Sequence, residues 1–272
     1  MLLLVDLDGV VYRGALAVPG MADVLIRRAA AGDRIIYVTN NSRSHRDEYR
    51  RRLEGHGVPL GGEGTDSIVT AARATAVLLA ESEPRPRVAM VIGGPGLSRE
   101  LREVGLKVVP PTTRGLDAAP DALVVGVDFS LSYERLSIAA EAVRRGARFV
   151  ATNRDPVFPA EEHLSAGAGA IVAAVAVAAG REPDVVVGKP EPLLFETAAE
   201  LAGTHARDAI VIGDGLLTDI RAANAVGARS VLMLTGVTRM SDLESASHDV
   251  TPTAIAKDAA DLDRVLSELT SG

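Results

Sequence analysis

The sequence predicts an α/β protein built on a largely parallel sheet, in which a second α/β segment interrupts the first. Three observations carry this reading. Short aliphatic runs alternate with helix-like segments along the whole chain, the pattern of strand–helix–strand units. The stretches ESEPRPR (81–87) and REPD (181–184) punctuate that alternation twice, as linkers do. The 272 residues are 47% hydrophobic and 24% charged, a composition that supports a substantial core.

The elements follow in order. LLLVDLDG (2–9) reads as a short buried strand, and MADVLIRRAAAG (21–32) as a helix after Pro19-Gly20, closed by Gly32. RIIYVTNNS (34–42) is a second strand ending in polar residues, SHRDEYRRRLEGHG (44–57) a charged helix, and TDSIVTAARATAVLLAES (65–82) a helix with Asp or Thr as its cap. After the first linker, 87–94 and 121–127 read as strands, 132–146 as a helix, 147–153 as a strand and 169–180 as an Ala-rich helix. Beyond REPD, VVVGKP (185–190), 193–203, 209–215, 218–227 and 230–236 resume the alternation. This predicts a core of residues 1–83 plus 183–272 and an inserted α/β domain at 84–182, the size of a small domain.

Composition removes several function classes. Aromatics make up 3% of the chain and Trp is absent, so Ala, Val and Leu must fill the core. There is no cysteine, which excludes disulfides, thiolate catalysis and zinc–sulfur sites. The net charge of −7 argues against nucleic acid and anionic membranes as partners, while leaving a small anion open. Asp6 interrupts the first apolar run, and the longest such run, 166–180, is short for a membrane span. A cytoplasmic protein is expected. The five histidines, His163 among them, show no metal-ligand spacing.

Four polar clusters directly follow predicted strands of the same domain: Asp6 with Asp8, Thr39-Asn40-Asn41-Ser42, Lys189, and Asp214 with Asp219. In an open parallel sheet ligands bind at the carboxyl edge of the strands, so the clusters would converge. Each also has an ordinary reading. Asp-x-Asp-Gly is a common turn, Ser42 or Ser44 can cap a helix, as can Thr218, and Lys189 can be solvated. Read functionally, side chains two apart on an extended segment share a face, so Asp6 and Asp8 can supply a nucleophile and a proton donor to one substrate. Gly9 lets the backbone turn sharply there. Lys189, held between a buried strand and Pro190, supplies a point charge for an anion. Asp6, Asp8 and Asp214 together offer oxygen ligands whose mutual repulsion a Mg²⁺ ion would relieve.

DLDGVVYRG, VTNNS, GKP and GDGLLTDI, in that order, resemble the four motifs of the haloacid dehalogenase superfamily, in the form carried by its NagD-like phosphatases. The resemblance spans essentially the whole chain. It implies a Rossmann-like core with an inserted cap domain and a Mg²⁺-dependent phosphatase of a small phosphorylated metabolite, such as phosphoglycolate, glycerol phosphate or a sugar phosphate. It further implies Asp6 as the nucleophile that forms an aspartyl-phosphate and Asp8 as general acid/base. Asp6, the Asp8 carbonyl and Asp214 would hold the metal. Thr39, the Asn40 backbone and Lys189 would bind phosphoryl oxygens, with Asp219 supporting the metal or Lys189. Asn41, Ser42 and Arg43, and Asn153, Arg154 and Asp155 in the loop FVATNRDPVFP (149–159), would line the substrate. Pairing of two copies through the cap is a further implication. Gly215 departs from the family pattern, in which Arg or Asn usually follows the aspartate. A phosphometabolite-binding protein without catalysis is the alternative from a different class, although Asp6, Asp8, Thr39, Lys189 and Asp214 are all present.

Overall fold

A computed structural model describes residues 1–61, 66–159, 164–244 and 246–271. His163 and Thr65 lie outside them. Within these residues the chain divides into two compact units: Met1–Thr39, Asp47–Val69 and Lys189–Gly272 form one, and Asn40–Arg46 with Thr70–Gly188 form the other.

The first unit is built on a six-stranded sheet ordered Ala254–Ala256, Arg229–Met233, Ala209–Gly213, Leu2–Asp6, Arg34–Thr39, Ile68–Thr70. Leu2–Asp6 is buried along its entire length and pairs in parallel with a strand on each side. Such a central strand is covered on both faces and reads as an unbroken aliphatic run. Its register sets Val5 opposite Ile212 and Asp6 opposite Val38. The ends of three adjacent strands therefore bring Asp6, Thr39 and Asp214 to one sheet edge. Helix Met21–Ala30 buries Met21, Val24 and Leu25 against a cluster containing Leu3, Val5, Tyr37, Leu262 and Leu266. Each fully buried aliphatic side chain there contributes roughly 1.5–3 kcal/mol.

The second unit has a parallel five-stranded sheet ordered Val185–Val186, Arg148–Ala151, Ala122–Val125, Val88–Ile92, Lys107–Val109. Helix Tyr133–Arg144 starts where Ser132 accepts the Arg135 N–H. Its core clusters Met90, Leu123, Phe149 and Val175, and an antiparallel hairpin pairs Val157–Pro159 with Leu164–Ala166.

Three readings of the sequence need correction. The segment 65–82 is not one helix: Ile68–Thr70 is a strand, and Thr70 caps the helix Ala71–Glu81 by accepting the Arg73 N–H at 3.0 Å. The β-branched pair Ile68–Val69 goes to the sheet edge, overriding the helical continuity of the alanines that follow. VVVGKP does not return to the first sheet, because Val185–Val186 pairs with Val150–Ala151 in the second unit. Lys189 therefore follows a strand of the other unit, unlike the three remaining clusters. Finally, 218–227 begins as a π-helical turn, Leu216–Ile220, with the Ile220 N–H donating to the Gly215 carbonyl at 3.1 Å. Such turns occur mostly as single insertions near functional groups.

Candidate active site

Asp6, Thr39, Lys189, Asp214 and Asp219 are all buried, at 7, 4, 3, 6 and 2% exposure, and charged side chains are rarely this enclosed unless paired. The pairing is direct. The Lys189 Nζ donates to Asp6 Oδ1 at 2.5 Å and to Asp219 Oδ1 at 2.6 Å. Asp219 turns its Oδ2 to the Gly215 N–H at 3.1 Å and the Thr218 hydroxyl at 3.2 Å. Oδ1 thus holds Lys189, while Oδ2 is fixed by the turn that follows Asp214. Asp6 commits Oδ1 to Lys189, and Asp214 commits Oδ2 to the Val237 N–H at 2.7 Å.

Charge follows from this geometry. Burial pushes the Asp6 carboxyl well above the usual range; Lys189 opposes this, and Asp219 and Asp214 add to it. Burial raises Asp214 to about 6, with Asp219 adding and the Val237 N–H and Lys189 opposing. Burial alone would lower Lys189, but Asp219 and Asp6 outweigh it, so its ammonium stays charged. Asp8 is more open to solvent; desolvation still raises its carboxyl, against Arg52 and Lys189. Carboxylate oxygens of Asp6, Asp214 and Asp219 lie within 4.8 Å of one another, and a single ammonium balances only part of their charge. All-oxygen donors with excess negative charge fit a hard divalent cation.

Gly9 completes this site by what it lacks. Its φ is +81°, and a Cβ there would collide with the Asp214 carboxylate. Its N–H donates to the Tyr12 carbonyl at 2.7 Å, closing the turn after Asp8.

The other sequence-predicted residues lie in the second unit, in a network of their own. The Asn40 Nδ2 donates to both oxygens of Asp155, at 3.2 and 3.1 Å. The Asn153 Nδ2 donates to the Asn40 carbonyl at 2.8 Å, and Asn153 Oδ1 accepts the Asp155 N–H at 3.0 Å. Asn41 Oδ1 accepts the Arg43 N–H at 2.9 Å, and the Ser42 and Thr152 hydroxyls share a hydrogen bond of 3.0 Å. The Arg43 guanidinium stands over the exposed Phe129 ring, 4.6 Å from its centroid. Arg154 pairs with Glu182 at 2.6 Å. His45, buried, lies 3.2 Å from both Glu100 and Glu103, and Arg46 and Arg99 already pair with those glutamates. That charge-balanced cluster gains little from a cation.

Sequence reasoning passed over the segment Thr235–Thr238, which contacts both Gly9 and Asp214. The available signal was its place directly after the strand Arg229–Met233, which pairs in parallel with the strand bearing Asp214. Thr218, read as a helix cap, instead holds Asp219.

Three buried carboxylates gathered around one lysine, with oxygens spaced to hold a hard cation, suit a hydrolase that works on phosphoric monoesters. The comparisons agree. Residues 3–107 match the haloacid dehalogenase-like hydrolase model and residues 186–262 the HAD-hydrolase-like model. The chain is 36% identical to an acid sugar phosphatase of Staphylococcus saprophyticus, over 98% of this chain and 96% of that one. A p-nitrophenyl phosphatase from Archaeoglobus fulgidus superposes with a TM-score of 0.88 at 34% identity, covering 97% of this chain and 98% of that chain. A glycerol phosphate phosphatase from Mycobacterium tuberculosis, in complex with magnesium, gives a TM-score of 0.84 at 36% identity, covering 96% and 75%; that enzyme also has a structure with calcium. The chain belongs to the haloacid dehalogenase-like hydrolases, among their NagD-like phosphatases, and is a phosphoric monoester hydrolase. No helix among the described residues is long and apolar enough to cross a membrane.

Proposed function

We propose that the chain is a Mg²⁺-dependent phosphatase of a small phosphorylated metabolite, acting through an aspartyl-phosphate on Asp6. The observation that carries this reading is Lys189 held between Asp6 and Asp219, beside Asp214 at ligand spacing. The Lys189 ammonium opposes the burial that raises the Asp6 carboxyl, and a bound cation would add to that opposition, favouring the ionised, nucleophilic form.

An Asp6 oxygen attacks phosphorus and the ester P–O bond breaks. Asp8, whose carboxyl is raised, gives its proton to the departing alkoxide. The Asp8 carboxylate then takes a proton from water as that water attacks the phosphoryl group, releasing phosphate and restoring Asp6. Lys189, Thr39 and the Asn40 backbone bind phosphoryl oxygens, and Asp219 positions Lys189. Asp6, the Asp8 carbonyl and Asp214 are the residues that would hold Mg²⁺. Bound there, Mg²⁺ would supply charge neutralisation for the transferring phosphoryl group.

Leaving-group selection falls to Asn41, Ser42, Arg43, Arg154 and Asp155, with Asn153 fixing the Asn40 and Asp155 backbone beside them. Residues 84–182 act as the cap on a core of 1–83 and 183–272, through which two copies pair, and the enzyme works in the cytoplasm. Sugar phosphates and glycerol phosphate head the substrate panel because relatives are named for them; phosphoglycolate completes it. The test measures phosphate release with Mg²⁺ and with EDTA, for wild type and Asp6→Asn. Turnover that needs metal and disappears in Asp6→Asn supports the reading. Tight binding of a phosphorylated compound without release, unchanged in Asp6→Asn, replaces it with a binding protein.

A further inference from the structure

The segment after the strand Arg229–Met233 belongs to none of the residue groups assigned above, yet it touches two of them at once. The Thr235 hydroxyl donates to the Gly9 carbonyl at 2.7 Å. Two residues on, the Val237 N–H donates to Asp214 Oδ2 at 2.7 Å. The buried Thr238 hydroxyl donates to the Asp214 carbonyl at 2.5 Å and accepts the Leu216 N–H at 3.4 Å. Between them Gly236 runs so close to the Asp214 carboxylate that no Cβ fits, and a Cβ on Gly9 would stand 2.9 Å from the Gly236 Cα.

Four consecutive residues therefore fix both the turn that follows Asp8 and the backbone and carboxylate of Asp214. Those two segments lie more than 200 residues apart in sequence and meet at non-bonded distance. The separation of a metal's ligands sets its affinity, and outer hydrogen-bond partners that orient ligands are typically worth about 10–100-fold in binding.

We propose that Thr235 and Thr238 are positioning residues that set the divalent-cation affinity of the site by clasping the Asp8–Gly9 turn to Asp214. The inference rests on the reading that the Asp8 carbonyl and Asp214 hold the cation. The two hydroxyls act at different points. Thr235 fixes the Gly9–Val10 peptide, one residue beyond the Asp8 carbonyl, and Thr238 bridges Asp214 to Leu216 at the entry of the π-helical turn. A serine at either position keeps the hydroxyl, whereas a valine fills the same volume without it.

The experiment is calorimetric titration of MgCl₂ into EDTA-stripped protein, for wild type, Thr235→Val, Thr238→Val and the two serine variants. Melting in EDTA tracks structural loss separately. The expected result is a Mg²⁺ Kd raised about 10–100-fold in each valine variant and restored toward wild type by serine. The metal concentration for half-maximal phosphate release should shift the same way. Valine variants that bind Mg²⁺ like wild type overturn the clasp, as do serine variants that bind as poorly as valine. Both results leave the phosphatase reading standing if wild type turns over. A wild-type protein that neither binds Mg²⁺ saturably nor releases phosphate overturns both.

Discussion

Replacing Asp214 with Asn should stabilise the metal-free protein while abolishing its response to Mg²⁺. Burial, with Asp219 nearby, lifts this carboxyl from its ordinary 3.8 to about 6. At roughly 1.4 kcal/mol per pH unit the shift corresponds to about 3 kcal/mol. The folded state binds this proton more tightly than the unfolded state does. The contribution is therefore fully present below the unfolded pKa and lost as pH rises through about 6. Linkage places about 1.4 kcal/mol of the loss between pH 5 and pH 7.5. Asn has no proton to lose, and its carbonyl can still accept the Val237 N–H that Asp214 Oδ2 accepts now. In EDTA at pH 7.5 the variant should melt about 5–10 °C above wild type, with a smaller gap at pH 5. Adding Mg²⁺ should raise the melting temperature of wild type alone, by mass action on the folded state. Scanning calorimetry of both proteins at both pH values, with and without metal, measures all of this. A variant that melts at or below wild type in EDTA at pH 7.5 would refute the account of Asp214 as an uncompensated buried charge.

Three further outcomes follow from the same contacts. Gly9→Ala places a Cβ against the Asp214 carboxylate on a residue at φ +81°; it should cost about 1–2 kcal/mol from backbone strain alone and weaken Mg²⁺ binding, read by denaturant unfolding and calorimetry. At Gly215 a Cβ would collide with the Thr218 hydroxyl, so Gly215→Ala should lower kcat by releasing Asp219 from its present partners. The same change made on a Thr218→Ala background should cost measurably less, which a double-mutant cycle reports. Asn153→Ala removes the donor to the Asn40 carbonyl and the acceptor of the Asp155 N–H; it should cost about 1–3 kcal/mol in unfolding and raise KM for every phosphorylated substrate alike. A KM change confined to one substrate would instead mark Asn153 as a selector of the leaving group.

The first strand and the residues it delivers were legible because a strand buried on both faces leaves an unbroken aliphatic run, and LLLVD ends that run on a carboxylate. Asp214 and Thr39 were legible on the same ground. Lys189 was found for a reason that proved incomplete. Its strand reads like the others, but pairing partners are decided by long-range contacts, and Val185–Val186 pairs in the second unit. The helix Pro95–Glu103 was overlooked although Pro95 after Gly94 is a common helix start, because its polar residues dilute the apolar pattern. The Thr235–Thr238 segment was illegible as function: threonine and glycine after a strand ordinarily make a turn, and only the folded chain brings them to Gly9 and Asp214.

Lys189 and Thr39 raise a question that strand order does not answer, since the chain first leaves the first unit immediately after Thr39 and, after an intervening return over Asp47–Val69, comes back to it for the last time at Lys189. Their immediate neighbours, Asn40 and Gly188, are bound side by side inside the second unit. The Gly188 N–H donates to the Thr152 carbonyl at 2.8 Å, and the Asn153 side chain donates to the Asn40 carbonyl. Gly188 lies so close to the Asn40 and Asn153 side chains that a Cβ there would meet Asn40 Oδ1 at 2.6 Å and Asn153 Cβ at 2.8 Å. Consecutive Cα atoms are about 3.8 Å apart, so holding Asn40 against Gly188 also limits the distance between Thr39 and Lys189. Asn153 thereby acts through the backbone on Thr39 and Lys189, the proposed phosphate ligands. Its carboxamide is committed at both ends, to the Asn40 carbonyl and the Asp155 N–H, and a side chain so committed is better suited to fixing the backbone than to reading a substrate. That is why the Asn153→Ala variant is expected to affect all substrates equally.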